Sequence, residues 1–489
     1  MVAYPRSFVG QFVISPRDEV PAIADGVVHE LNGLAVATIG DLPITRVYDA
    51  NDRLIGALLG HPVDYRQGRM IRDVLKLDAR HPGDDGLEDF IEAWVYRYGG
   101  PYIFVLDDGE ARRVYLDAGG SMSAVFDEAK PLCAATAGLL LSEEDYSRRF
   151  RAELYDYLHI LDDGWFPAGM TAHLGIGRIL CNHYLDFSDG RQHRHWPRTP
   201  TPLARDPDEA CATINAVVAA TMKTLQAAGP VVTTLTAGNE TRLILAACRD
   251  LKDSMQFVTI KGEDENRLDA ERAAELARTF GLKHQLLSIR YGDEEGIEQW
   301  RARCGHCIGG ANMRSYPSVE PLASYAFFTG GVGGEAGRGF FWRASDTEDT
   351  ELTGHGLAAR LGMPIHDEVV DALDAWLGSL PDINTYQKLD LAFLELRLGC
   401  WGFVQSYATP EVLQVQPLIA RESFSAMLSL PPEWRRTSRS VTRCIELAWP
   451  ELLRLPINRY GDLRDYGRPL ARAMRNPRLI LRKLRKKFG

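Results

Sequence analysis

Residues 231–242 read VVTTLTAGNETR. An apolar, β-branched run stops at a small, hydroxyl-rich turn with one glycine, one carboxylate and one arginine, and the helix-length run LILAACRDL follows at 243–251. A loop that wraps phosphate oxygens needs inward backbone N–H groups, hydroxyl donors, little bulk and a helix N-terminus behind it. Thr236, Ala237, Gly238 and Thr241 supply those parts. A carboxylate there repels phosphate unless it holds a divalent cation, which makes Glu240 a candidate Mg²⁺ ligand. Arg242 either offers a forked donor to polyphosphate or pairs with an acid of the same domain. The same letters also suit a strand that simply meets a helix.

Outward from this turn, QFVTIKG at 256–262 leads through an acidic loop to LDAERAAELARTF at 268–280, where Leu268, Leu276 and Phe280 fit one buried helix face. GLKHQLLSI follows, and YAFFTG at 325–330 then runs into GGVGGEAGRG. Strands alternating with helix-length segments predict a parallel sheet covered by helices, with ligands outside the carboxyl ends of the strands. The stretch TGGVGGEAGRGFFWR, 329–343, holds six glycines with Glu335, Arg338 and Arg343. It reads either as a loop that lets backbone approach a ligand, with Glu335 sharing a cation with Glu240, or as a flexible structural turn. The Gly-Lys pair of a Walker loop does not occur. Gly331, Gly333 and Ala336 match a dinucleotide fingerprint, but the following FFWRASDTEDTE lacks the helix and second strand that fingerprint needs.

The chain of 489 residues is long enough for two domains with their own cores. HRHWPRTPTPLARDPDEA, 193–210, reads as the linker between them. Before it lie short β-rich runs: FVGQFVIS, LAVATIG, LIGALLG, PYIFVLDD and RRVYLDAGG. No apolar stretch reaches the roughly 18 to 20 residues of a membrane span, and MVAYPRSFVGQF lacks a secretory pattern, so a cytoplasmic protein is expected. A net charge of −10 argues against broad nucleic-acid binding. The segment 468–487 carries nine basic residues and no acid, with Ile480, Leu484 and Phe488 at helical spacing. It suits an anionic membrane surface or a protein partner, or equally a solvated helix on an acidic body. Of eight cysteines only Cys304 and Cys307 form a C-x-x-C, around His306; zinc or redox chemistry and buried thiols in a turn are the two readings.

The chain resembles the asparagine synthetase family, whose ATP-pyrophosphatase domain carries S-G-G-x-D-S after its first strand. TAGNET, 236–241, sits in that place, with Glu240 for the metal-binding aspartate, Thr236 and Thr241 for serines, and Ala237 for a glycine. The family's later S-G-x-G-S-D-E looks like TGGVGGE, 329–335: Glu335 is kept, Gly334 replaces an acid, and the catalytic glutamate position falls on Gly331. GGPYIFVLDDGEARRVYLDAGGSMSAVF, 99–126, and WFPAGMTAHLGIGRILCNHYLDF, 165–187, are similar to the glutamine amidotransferase half.

The resemblance implies an α/β protein. Residues 1–195 would form an Ntn-hydrolase-like αββα sandwich, class-II amidotransferase-like, and residues 205–489 a PP-loop ATP-pyrophosphatase domain, adenine nucleotide alpha hydrolase-like, ending in the basic tail 468–489. It implies ATP on Thr236, Ala237, Gly238, Thr241, Arg242, Ile260, Gly262 and Gly330, Mg²⁺ on Glu240 and Glu335, and Glu335 and Arg338 as catalytic residues. The implied activity is that of a carbon–nitrogen ligase, as in asparagine biosynthesis. A small-molecule or peptide carboxylate becomes an acyl-adenylate, pyrophosphate leaves, and ammonia or another amine attacks. Gly309, Gly310 and Asn312 are placed to line the acyl pocket. Glutaminases of this fold use an N-terminal cysteine, whereas FVGQF puts Val9 there and no cysteine precedes Cys133, so no glutamine hydrolysis is expected. The family's C-terminal lysine has no counterpart in INRYGDLRDYGRP, which offers Arg459, Arg464 and Arg468. Two further expectations stay open: an intramolecular cyclase like the β-lactam and macrolactam synthetases, and a non-catalytic nucleotide-binding scaffold.

Overall fold

The computed structural model describes residues 2–465 except 22, 24, 84, 85, 263–265 and 463. The basic tail 468–489, with Arg468 and the apolar spacing at Ile480, Leu484 and Phe488, lies outside the described residues.

Two sheets build the first half. One orders Ile176–Arg178, Val125–Asp127, Cys133–Ala134, Phe12–Pro16, Leu34–Ile39 and Gly26–Glu30. The other orders Arg191–Arg194, His183–Asp186, Arg112–Leu116, Tyr102–Asp107, Leu54–Gly60, Ile44–Tyr48 and Val74–Lys76. All pairings are antiparallel except Ile44–Tyr48 with Val74–Lys76. Each apolar run read from the sequence supplies one of these strands, and Leu34–Ile39 and Tyr102–Asp107 are buried along their whole length. The expected αββα layering differs on its outside. Among the described residues the α-helices before 195 are Leu87–Trp94, Glu143–Arg148 and Ala152–Tyr157, of eight, six and six residues. Helices of roughly 9 to 12 Å do not cover a sheet.

The turn after Arg112–Leu116 is built by Asp117, which accepts from the backbone N–H groups of Gly119, Ser121 and Met122. Burial pushes its carboxyl up to about 6 against those donors. The strand Arg191–Arg194 runs into the segment expected as linker, and the next element is the helix Pro207–Ala228. Asp206 caps that helix by accepting from Asp208 N, proline stands in its first turn, and Gly229 ends it. Cys211, Ile214, Val218, Met222 and Leu225 recur at helical spacing and are buried. Each such apolar side chain contributes on the order of 1.5–3 kcal/mol by leaving water.

The second half carries a four-stranded parallel sheet in the order Lys283–Ser288, Gln256–Lys261, Val231–Thr234, Phe327–Thr329. Helices Asn239–Ala247 and Arg267–Phe280 follow its strands as the sequence predicts. Leu268 and Leu276 are buried in the latter and Phe280 is half-buried.

The halves share one hydrophobic core, which runs from Phe12 and Val105 through Phe166 to Leu396 and Phe424. A buried polar knot joins them. Glu395, in the π-helical turn Ala392–Leu398, takes both Arg194 Nη atoms at 2.6 and 2.8 Å, Asn182 Nδ2 at 3.0 Å and Trp376 Nε1 at 2.8 Å. Burial alone would raise its carboxyl, and the Arg194 guanidinium outweighs it and holds the group below the usual range.

Candidate functional site

Val231–Thr234 and Phe327–Thr329 lie side by side in parallel, with Val231 opposite Phe327 and Thr233 opposite Thr329. Thr329 Oγ1 donates to Thr233 Oγ1 at 2.9 Å, so the strands end in step. That register delivers the turn 235–238 and the loop 330–333 to one edge of the sheet.

The first turn is held by its own donors. The hydroxyls of Thr236 and Thr241 meet at 2.8 Å, and Gly238 N donates to Thr236 Oγ1 at 3.0 Å. Ala237 N donates to Asp269 Oδ1 at 2.9 Å, and Ala237 O accepts from Asn458 N at 2.8 Å. Gly238 precedes the helix Asn239–Ala247, whose first N–H groups face this turn.

The second loop packs by glycine backbone. A Cβ on Gly331 would stand 2.5 Å from Glu240 Cβ, and one on Gly334 would stand 2.7 Å from Glu240 Cγ. The methylenes of Glu240 thus occupy the space that a side chain at 331 would need. Gly333, with φ +96°, turns the chain into the 3₁₀ turn Gly334–Arg338. This turn presents Glu335 and Arg338. Arg338 Nε approaches Glu240 Oε1 to 2.6 Å, an ion pair whose angles do not make a hydrogen bond, so both buried atoms lack a hydrogen-bond partner. Burial raises the Glu335 carboxyl, the neighbouring Glu240 charge raises it further, and Arg338 opposes both.

Two neighbouring carboxylates that share a single guanidinium fit a hard divalent cation, for which Glu240 and Glu335 would be the protein ligands. Among the described residues no cluster of three or more acidic, histidine or cysteine side chains adds to that pair. The fit to phosphate is narrower, because the N–H groups of Ala237 and Gly238 already serve Asp269 and Thr236.

The remaining expected residues separate. Arg242 is a correction: it is fully buried, and its Nη1 donates to Leu452 O and Leu455 O at 2.9 and 3.0 Å. It tethers the helix to the segment 450–455, pairs with no acid among the described residues, and has its guanidinium lowered to about 10 by burial and then by Arg272. Glu240 and Arg242 stand two positions apart on a helix, about 200° around its axis, so one faces the loops and the other the core. Ile260 and Gly262 end the neighbouring strand Gln256–Lys261 on the other flank of the turn. Gly330 N is occupied by Gln416 Oε1 at 3.0 Å. Gly309 and Gly310 lack side chains because they press on Ile160 and Asp163 of the first half, and not to form a pocket. Cys304 and Cys307 are buried free thiols, and His306 Nε2 bonds Ala3 O at 2.9 Å.

Three participants escaped the sequence reading. Asp269 and Asn458 reach the first turn from the helix Arg267–Phe280 and from the segment INRYGD, and Gln416 reaches the second loop. A fourth, Arg303, governs the position where the glutaminase cysteine would stand. Its Nη1 donates to Ser7 O at 2.8 Å, its Nη2 to Val9 O at 2.7 Å and its Nε to Tyr407 O at 2.7 Å. Residues 2–9 are bound to the second half by these bonds and by the Arg6–Glu295 ion pair.

No family model and no curated protein matches the chain by sequence. Among solved structures it is similar to NMN synthetase from Francisella tularensis, at 13% identity over 41% of this chain and 92% of that one, with a TM-score of 0.20. It is also similar to a structure described as the allosteric regulatory enzyme of purine biosynthesis, at 9% identity over 61% of this chain and 72% of that one, with a TM-score of 0.21. Among the described residues no helix is long and apolar enough to cross a membrane.

Proposed function

We propose that the chain is an ATP-dependent, AMP- and pyrophosphate-forming ligase of the asparagine synthetase type that joins a small-molecule or peptide carboxylate to an amine without hydrolysing glutamine. The observation that carries this reading is the meeting of Glu240, Glu335 and Arg338 at the carboxyl ends of two paired parallel strands. Glu240 and Glu335 would hold Mg²⁺, which would supply neutralisation of charge on the polyphosphate. The Thr236 and Thr241 hydroxyls and the helix N-terminus at Gly238 orient the phosphates. Arg338, which pairs with Glu240 at the same edge, would stabilise the charge that develops on the departing pyrophosphate. The nitrogen arrives as free ammonia, as an amine of a second molecule, or from the substrate itself. On this reading glutamine is not the nitrogen source, because Val9, its carbonyl clamped by Arg303, stands where the family's cysteine thiol would be.

A second reading, a nucleotide-binding scaffold without catalysis, is favoured by one observation: the first turn spends its N–H groups on Asp269 and Thr236. Calorimetric titration of Mg²⁺–ATP into the wild type and Glu240→Ala separates the cases. The ligase reading expects Mg²⁺-dependent binding that Glu240→Ala loses, followed by pyrophosphate release with one member of a carboxylate and amine panel. Binding without release assigns the scaffold, and no binding in either protein removes both readings.

A further inference from the structure

A cavity of about 660 Å³ lies away from the two loops, over the helix Arg267–Phe280 beside the end of the strand Gln256–Lys261. Among the described residues its wall holds five cations, Lys261, Arg267, Arg272, Arg278 and Arg464, and two acids, Glu271 and Glu275.

The two acids are already engaged. Glu271 pairs with Arg267 at 2.7 Å and with Arg464 at 2.9 Å, and Glu275 pairs with Arg272. Lys261 and Arg278 are exposed and have no ion-pair partner among the described residues. Arg272 is 4% exposed and spends its Nη atoms on Glu275, Arg459 O and Tyr460 O, yet its Nε is buried with no acceptor. An unpaired buried donor of a charged group is costly, and an anionic oxygen from a ligand would satisfy it. Apolar surface stands beside these charges: Ala270, Ala274, the exposed Leu286, and the Tyr460 ring with Arg464 3.9 Å above it.

We infer that this cavity is a second binding site, for a small organic anion with at least two negative charges and a compact carbon body. Its anionic groups meet Lys261, Arg272 and Arg278, and its carbon body lies on Ala270, Ala274 and Leu286. Phosphate esters and polycarboxylates share this chemistry. The site does not depend on ATP binding. It adjoins the first turn all the same, because Asn458, two residues from Tyr460, bonds Ala237, and Asp269 belongs to the cavity's helix.

Calorimetry on the full chain with two probes, glucose 6-phosphate and citrate, tests the site in the wild type, in Glu240→Ala, and in the double variant Lys261→Gln, Arg278→Gln. Both replaced residues are exposed, so the double variant keeps its fold, and its melting temperature checks this. The wild type and Glu240→Ala are expected to bind one probe equally, and the double variant about tenfold more weakly or worse. The probe that binds identifies the phosphate or the carboxylate source. Absence of binding by both probes, or unchanged affinity in the folded double variant, overturns the inference. Loss of binding in Glu240→Ala overturns it too, because the anion then sits at the loops.

Discussion

Arg338 Nε lies 2.6 Å from Glu240 Oε1, so the loop after one parallel strand closes on the loop after its neighbour through a single guanidinium. Arg338 is the positive charge that this contact gives the carboxylate pair, and it stands where a cation ligated by Glu240 would act. The two charges therefore compete for one carboxylate. Whichever wins sets whether Arg338 points at Glu240 or is released toward a ligand.

Arg338→Gln removes the competitor. Mg²⁺ binding measured without nucleotide is expected to tighten several-fold, while any pyrophosphate release drops by about 10²–10³, the usual loss for a donor aimed at developing charge. Weaker Mg²⁺ binding by the variant would show that Arg338 supports the cation site instead of contesting it.

Gly331→Ala tests the packing that places Glu240. A Cβ there meets Glu240 Cβ at 2.5 Å and Glu240 backbone carbon at 3.3 Å, and neither atom belongs to the end of a flexible side chain. Overpacking of this kind costs about 1–3 kcal/mol. Gly378→Ala is the control, because Gly378 is exposed and nothing among the described residues stands within 4 Å of its Cβ. Urea denaturation should separate the two variants; equal midpoints would remove the steric account of why glycine occupies 331.

Arg303→Ala addresses the clamp on residues 7–9. Three backbone carbonyls lose their charged donor, that of Tyr407 in a buried place and those of Ser7 and Val9 in part-buried ones. The expected loss is about 1–3 kcal/mol, the cost of leaving a buried neutral acceptor without its donor. Arg303→Lys should recover only part of it, since one ammonium does not reproduce a planar fork with three acceptors. Full recovery by lysine would mean that charge alone, and not geometry, holds the segment.

The strand Val231–Thr234 was legible because it is β-branched throughout, and Gln256–Lys261 and Phe327–Thr329 because each runs directly into a glycine; their parallel order follows from the helix-length runs between them. The loops' partners were less so. Helical phase shows that Glu240 and Arg242 cannot both face the ligand edge, a signal present in the sequence. No local signal marks Asp269, Gln416 or Asn458, because each arrives from a distant segment and its role exists only once the sheet is assembled. The same holds for Arg303, whose three acceptors lie in two segments about 100 and 300 residues away. Gly309 and Gly310 suggested a pocket lining by their position between two strands, and instead make room for the first half.

The last prediction concerns the Glu335 carboxyl, raised above its ordinary 4.5 by burial and by Glu240. A carboxyl whose folded pKa lies above its unfolded value makes the folded chain bind more protons in the window that starts near 4.5 and extends upward. Stability contributed by that proton is complete below the window and is lost as pH climbs through it. Glu335→Gln keeps the shape and carries no charge, so its stability should show less decline across the window than the wild type, and at neutral pH it should match or exceed it. Mg²⁺ acts on the same charge. Added at neutral pH, it should raise the wild-type unfolding midpoint, because the cation binds the folded carboxylate pair, and should raise that of Glu335→Gln less. Urea midpoints for both proteins across this range, with and without Mg²⁺, supply the test. Parallel pH curves would show that Glu335 is solvated and ionised without cost, and equal Mg²⁺ shifts would place the cation elsewhere than on Glu335.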